Sequence, residues 1–277
     1  MKDTEFNALI SLLEDEDTRV TGEIEKHLLA IGEEIVPRLE EAWEKESTTK
    51  IQDKITAIIQ RIQVQTTADE LAEWKNSGCN DLLMGWFIVS KFQYPNLEYL
   101  RFRNQINRIV NMVWLEMYSG TNYADRILAI NRILFDIDQY KSNRSSPHEL
   151  DNYFLNTFME RKKGNPFSLG ILYLIICKEL DLPVEGLILP NYFTLHYTDK
   201  RNNFYIDAYN KGAFFTKKDL DEYIRESNLP HKPEYFEPVS NKKAIYCLIE
   251  ALIEIYKAKE MPTKLPALKA LLKIVEK

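Results

Sequence analysis

The chain has 277 residues, 45% of them hydrophobic and 28% charged, with nine glycines and eleven prolines. That is globular composition, long enough for one large core or two to three smaller units, and too poor in Gly and Pro for a low-complexity or long-linker protein. The formal net charge of −6 gives no overall field that would draw in nucleic acid or anionic lipid.

The N-terminal part reads as all helix. Phe6, Leu9, Ile10 and Leu13 form one amphipathic stripe, closed by the acidic run Glu14-Asp15-Glu16-Asp17. Asp17 or Thr18 caps a second helix with the stripe Val20, Ile24, Leu28 and Ile31, which Gly32 ends. Ile35, Leu39 and Trp43 mark a third, and Ile51, Ile55, Ile58, Ile59 and Ile62 a fourth; short paired helices of this kind resemble a HEAT-like stack. Thr67-x-x-Glu70 has the form of a capping box and predicts a new helix start. The helical pattern then continues to about Met159, with breaks at Ser77-Gly78, Tyr94-Pro95 and Ser119-Gly120 and a polar loop over KSNRSSPHEL, 141–150.

After Asp181 the pattern changes. VEGLIL (184–189), FTLHY (193–197) and NFYIDAY (203–209) are rich in aromatic and β-branched residues and predict three antiparallel strands, with TDKRNN as the second turn. Thr216-x-x-Asp219 caps a short helix. The stripe Ala244, Cys247, Leu248, Ala251 and Ile255, a turn at Met261-Pro262, and the stripe Leu268, Leu271, Leu272 and Val275 predict an αα-hairpin like one tetratricopeptide unit.

Between these regions lies RKKGNPFSLGILYLIICKELDLPVEG, 161–186. Asn165 is a good N-cap, and Pro166 suits the first helical position, where its missing N–H costs nothing. FSLGILYLIIC is apolar on nearly every side and predicts the most buried helix of the chain. Gly170 within it costs on the order of 1 kcal/mol relative to Ala, which a close approach by another backbone would explain.

This stretch resembles the transglutaminase-like core of the papain-like superfamily, whose pattern is Gly-x-Cys opening a buried helix, a Gly-(Ile/Leu)-Pro turn, a strand carrying His and a strand carrying Asp. Gly164-Asn165-Pro166 stands at Gly-x-Cys, Leu182-Pro183 at the turn, Asn191-Tyr192-Phe193 at Gly-His-Phe, and Ile206-Asp207 on the Asp strand. More closely, NRILFD (131–136), YFLNTFMERKKGNPFSLGILYL and LPVEGLILP resemble the bacterial SirB-type branch over most of residues 70–277. That branch has a helical N-terminal region and a tetratricopeptide-like tail.

The resemblance implies a site that has lost its chemistry. A cysteine at a helix N-terminus has a lowered thiol pKa, and a His oriented by an Asp completes the machinery. Here the nucleophile position is Pro166, which has no attacking atom, and the base position is Tyr192, with a reference pKa near 10. Only Asp207 remains, so transglutaminase or protease chemistry is not expected. Rescue would require Ser168, two residues past Pro166, and His196, on the same strand face as Tyr192, to meet with Asp207. Taken singly, Ser168 reads as a first-turn serine bonded to backbone, His196 as a strand histidine, and Asp207 as the organiser of an Asx turn.

His27, His148, His196 and His231 are scattered, with no HExxH and no paired CxxC; no P-loop or GxGxxG is present, so neither metal nor cofactor is expected. Arg161-Lys162-Lys163 reads as a solvated helix end, and Tyr94, Tyr123 and Tyr140 as packing residues. Cys79, Cys177 and Cys247 are widely spaced and read as reduced thiols, the last two buried. The start MKDTEFNALISLLEDED does not read as a secretory signal, and the longest apolar run, roughly 166–177, is short for a bilayer.

The expectation is a cytoplasmic, mostly helical α+β protein with a HEAT-like region over 1–65, a transglutaminase-like core with helical lead-in over 66–235, and a helical hairpin over 236–277. Its leading function is non-catalytic binding of a protein, peptide or small ligand at a cleft lined by Asn165, Pro166, Ser168, Tyr192, His196 and Asp207, with no nucleic acid or membrane partner. The competing readings are a Ser168/His196/Asp207 hydrolase and a structural domain whose cleft is filled by its own side chains.

Overall fold

The computed structural model describes residues 2–15, 17–117 and 123–276. The chain divides into two compact units, Met1–Glu70 and Leu71–Lys277. It is 68% helical with one small antiparallel sheet, a mostly helical α+β fold.

In the first unit, α1 (Asp3–Leu12), α2 (Thr18–Ile31), α3 (Val36–Lys45) and the first part of α4 (Thr49–Asn76) follow the apolar stripes. The Asp17 carboxylate accepts from the Arg19 amide and starts α2, which stops where Gly32 takes a φ of 76°. Phe6, Ile10, Leu28, Leu39, Ile55 and Ile58 share one core. Of the acidic run, Glu14 and Asp15 are exposed, Asp17 is half-buried, and Glu16 lies outside the described residues.

The capping signal at Thr67 does not start a helix. α4 runs unbroken through it, Thr67 is buried, and its hydroxyl donates to the Gln63 carbonyl one turn back (2.8 Å). A Thr so bonded satisfies itself inside a helix, and the same letters serve either position.

In the second unit, α5 (Leu82–Lys91) and α6 (Tyr99–Met117) follow the breaks at Ser77-Gly78 and Tyr94-Pro95; the one at Ser119-Gly120 lies outside the described residues. Tyr94 packs edge-on against Phe154 and Tyr140 lies tilted against Phe158, while the Tyr123 side chain is likewise not described. α7 (Tyr123–Asn131) passes into a π-helical stretch, Arg132–Ile137.

The polar segment after it is more structured than its composition predicts. β1 (Lys141–Ser142) pairs in parallel with β2 (Lys163–Gly164), and Asn143 donates to Asn152 (3.1 Å), both buried. Between the two strands, α8 (Leu155–Arg161) ends at Lys162 in the left-handed region, and Arg161 pairs with Glu149 and Asp151.

α9 (Pro166–Glu179) is buried on every side from Pro166 to Cys177. It packs on β3 (Val184–Leu189) and β4 (Tyr192–Thr198), which form one sheet with β5 (Asn203–Asp207) and β6 (Ala213–Phe215), paired in that order. The fourth strand was not expected: Ala-Phe-Phe is too short to show alternation. α10 (Lys217–Glu226) opens with the expected Thr216/Asp219 capping box, and α11 (Asn241–Ala258) and α12 (Leu265–Glu276) form the terminal hairpin.

The reason for Gly170 is a side chain, not a backbone. A Cβ there would run into the Phe193 ring, which β4 lays on α9. Asn131, in NRILFD, accepts from the Tyr173 hydroxyl (2.8 Å) and donates to the Gly212 carbonyl (3.0 Å). Gly212, at φ 73°, leaves no room beside Asn131 for any Cβ. That motif is therefore a clamp between α7, α9 and the turn before β6.

Candidate functional site

The start of α9 is closed upon itself. The Asn165 carboxamide accepts from the Ser168 amide (2.9 Å), and the Ser168 hydroxyl accepts from the Asn165 amide (3.0 Å). This reciprocal cap satisfies the Asn165 and Ser168 amides, two of the donors that a helix N-terminus would otherwise offer to an anion, and Pro166 has no N–H to offer. Pro166 and Ser168 are buried, and a Cβ on Gly164 would strike the Ser168 hydroxyl and the Phe158 ring. The position where a nucleophile would sit is sealed.

Strand alternation separates the other candidates by face. Phe193 points to α9, so Tyr192, Thr194 and His196 point to the opposite face. That face packs under Leu220 and Ile224 of α10, together with Leu187, Leu189 and Tyr205. Here the Tyr192 hydroxyl donates to Asp207 Oδ1 (2.8 Å), which also accepts from the Asn210 amide (3.1 Å). Burial raises the Asp207 pKa against the lowering effect of these bonds. Burial and the Asp207 charge together hold the Tyr192 phenol well above its ordinary range, so it stays protonated and donates.

His196 does not join them. Its Nε2 meets Asn203 Oδ1 at 2.9 Å, and its ring stacks on Tyr205 with centroids 4.8 Å apart. Ser168, His196 and Asp207 thus each hold a different partner: Asn165, Asn203 and Tyr192. The expected single cleft of six residues is likewise divided, with Asn165, Pro166 and Ser168 buried at α9 and Tyr192 and Asp207 on the α10 side of the sheet.

Two concave regions bear on these residues. Tyr192, Thr194, Asp207, Phe215, Leu220 and Tyr223 line a cavity of about 260 Å³ between the sheet and α10. A larger groove of about 1330 Å³ runs past Phe167, Asn191, Tyr235, Ala251 and Leu272. Several residues at the smaller cavity escaped the sequence reading. Tyr209 and Asn210 fall in the turn that Asp207 was expected to organise. Tyr223 shares the i, i+3, i+4 stripe of Leu220 and Ile224, and that spacing was the available signal. Arg144 gave no signal; its guanidinium donates to Asn210 Oδ1 (3.2 Å) and lies over the Tyr209 ring from 66 residues away in sequence. Among the described residues no group of three His, Cys, Asp or Glu side chains could hold a metal ion, and no helix is long and apolar enough to cross a membrane.

A buried helix behind a small antiparallel sheet, with Tyr192 and Asp207 paired across β4 and β5, is the arrangement on which the family comparison bears. Residues 101–249 match the transglutaminase-like superfamily, more than half of the chain, and the chain belongs to that superfamily. Among curated relatives it is similar to the UPF0162 proteins of Xylella fastidiosa. It is 25% identical to that of strain Temecula1 over 57% of each chain, and 24% identical to that of strain 9a5c over 50% of this chain and 49% of the relative. The chain thus spans about half the length of these curated relatives. It is also 31% identical to human F-box only protein 21 over 104 residues, 35% of this chain and 17% of that one. No solved structure matches it significantly.

Proposed function

We propose that this chain is a non-catalytic, SirB-type member of the superfamily, a cytoplasmic binding or interaction module. The observation that carries this reading is the sealed start of α9: a buried Pro166 at the nucleophile position, with Asn165 and Ser168 consuming each other's hydrogen bonds. Acyl transfer requires a nucleophile within reach of both a base and the substrate. Ser168 is buried and His196 is held by Asn203. The open cavity beside Tyr192 and Asp207 supports binding in place of turnover.

The partial likeness to F-box only protein 21 fits a module carried within larger proteins, since the matched segment is 17% of that chain. In this reading the first helices form a HEAT-like flank, and α11 and α12 a tetratricopeptide-like one.

The test is turnover. Purified protein, incubated with glutamine-containing peptides with and without an amine acceptor and with generic ester substrates, is expected to show no reaction above buffer. Turnover abolished by Ser168→Ala or His196→Ala would overturn the reading in favour of the rearranged hydrolase.

A further inference from the structure

Resting on the binding reading above, we propose that the cavity between the sheet and α10 receives a methylated ammonium group, held by the Tyr192, Phe215 and Tyr223 rings and the Asp207 carboxylate. Four aromatic residues from three elements line it: Tyr192, Phe214, Phe215 and Tyr223. Tyr192 and Tyr223 lie 5.4 Å apart with rings tilted by 47°, and Tyr209 stands edge-on to Tyr192 at 6.4 Å. Aromatic faces attract a desolvated cation through the ring quadrupole, most effectively when several converge.

The charge pattern points the same way. The lining includes two carboxylates, Asp207 and Asp219, and no Lys or Arg. Asp219 is occupied in capping α10 through Thr216, whereas Asp207 is in no ion pair among the described residues. The nearest cation, Arg144, is turned toward Asn210, Ser142 and the Tyr209 ring. A half-buried carboxylate that feels Arg144 only at a distance, beneath a set of aromatic rings, has no directly paired cation among the described residues.

Size and ligand count select among cations. The cavity holds about 260 Å³, against roughly 30 Å³ for one water, so a bare ion would leave most of it unfilled. Calcium draws about six to eight oxygen ligands and gains nothing from aromatic faces, whereas four of the lining residues are aromatic. A primary ammonium brings three N–H donors that must each find an acceptor. A methylated ammonium spreads its charge over methyl groups, needs no acceptors, and presents an apolar surface to the rings. It can reach the site as a free quaternary amine or as a methylated lysine side chain.

The experiment is an amide NMR titration of the full chain with tetramethylammonium chloride, with tert-butanol as the neutral isostere and sodium chloride as the ionic control. The result expected is saturable shifts at the Tyr209 and Asn210 amides, with tert-butanol weaker by about tenfold. Asp207→Asn and Tyr223→Leu should each weaken tetramethylammonium by a similar factor, the rest of each spectrum reporting that the variant is folded. Choline and an N-acetylated trimethyllysine amide, compared in the same titration, separate the two sources. Equal binding of tert-butanol, or unchanged binding by both variants, overturns the cation assignment but leaves the binding-module reading standing. No saturation with any of these probes up to roughly 50 mM overturns the assignment as well. The binding reading itself falls only with the turnover assay described above.

Discussion

Asp207 sits under two opposed influences. Burial favours its neutral form, while the Tyr192 hydroxyl, the Asn210 and Tyr209 amides and the Arg144 charge favour the carboxylate; burial wins, and the pKa rises. The sign for stability follows. Below the unfolded value near 3.8 both states are protonated and the group contributes nothing; as pH rises through the raised folded value, the unfolded state gives up its proton more readily, and stability is lost. Asp207→Asn keeps an acceptor for Tyr192 and Asn210 without the charge. Denaturation at a series of pH values should find this variant at least as stable as wild type at pH 7, the difference shrinking toward zero below about pH 4. A loss of about 1 kcal/mol or more at pH 7 would mean that the hydrogen bonds outweigh the burial cost. On the proposed reading, that destabilising carboxylate is retained for a ligand. The resemblance put Tyr192 and Asp207 on neighbouring strands; the hydrogen bond between them is a finding of the structure. Arg144 was not legible, because chain folding alone brings it there.

At the scale of the element, α9 shows what composition can and cannot predict. Its burial, its N-cap and its proline start follow from Asn-Pro ahead of an apolar run, and the structure agrees. Which neighbour demands Gly170 depends on the register of β4, which no local pattern contains. An exposed helical Gly→Ala gains about 1 kcal/mol. Gly170→Ala should instead lose about 1–3 kcal/mol in chemical denaturation, because the new methyl meets the Phe193 ring. A stabilised variant would show that Phe193 can move aside. Asn165→Ala removes a cap from a buried site and leaves the Ser168 amide without its acceptor. The expected cost is about 1–3 kcal/mol, while a cost below about 0.5 kcal/mol would mean that the cap is replaceable. The mistaken start at Thr67 and the missed β6 share one cause. A four-letter cap fits a helix interior as well as its start, and a three-residue strand shows no period.

At the scale of the whole molecule, the four apolar stripes of the first unit converge on their own core, separate from that around α9 and the sheet. Leu28→Ala, in that first core, should cost about 2–5 kcal/mol. It should lower a transition reported by residues 1–70 and leave the Tyr209 and Asn210 amides unshifted. Displaced amides in the second unit would show that the two are energetically one body. What was legible at this scale was the order of helices, strands and hairpin, because each is carried by local periodicity. The division of the expected cleft between two faces of the sheet was not, since it depends on which strand face α9 covers.

On the proposed reading the corner at Pro166 and Ser168 carries out no acyl-transfer chemistry, and Ser168 tests this most directly. The protein would be incubated with a fluorophosphonate probe and the adducts mapped by peptide mass spectrometry. The buried hydroxyl, bonded to Asn165 and distant in its partnerships from His196, predicts no labelling at Ser168 above that of a denatured control. Stoichiometric labelling of Ser168 in the folded protein, lost on His196→Ala, would contradict it and restore a working nucleophile to the fold.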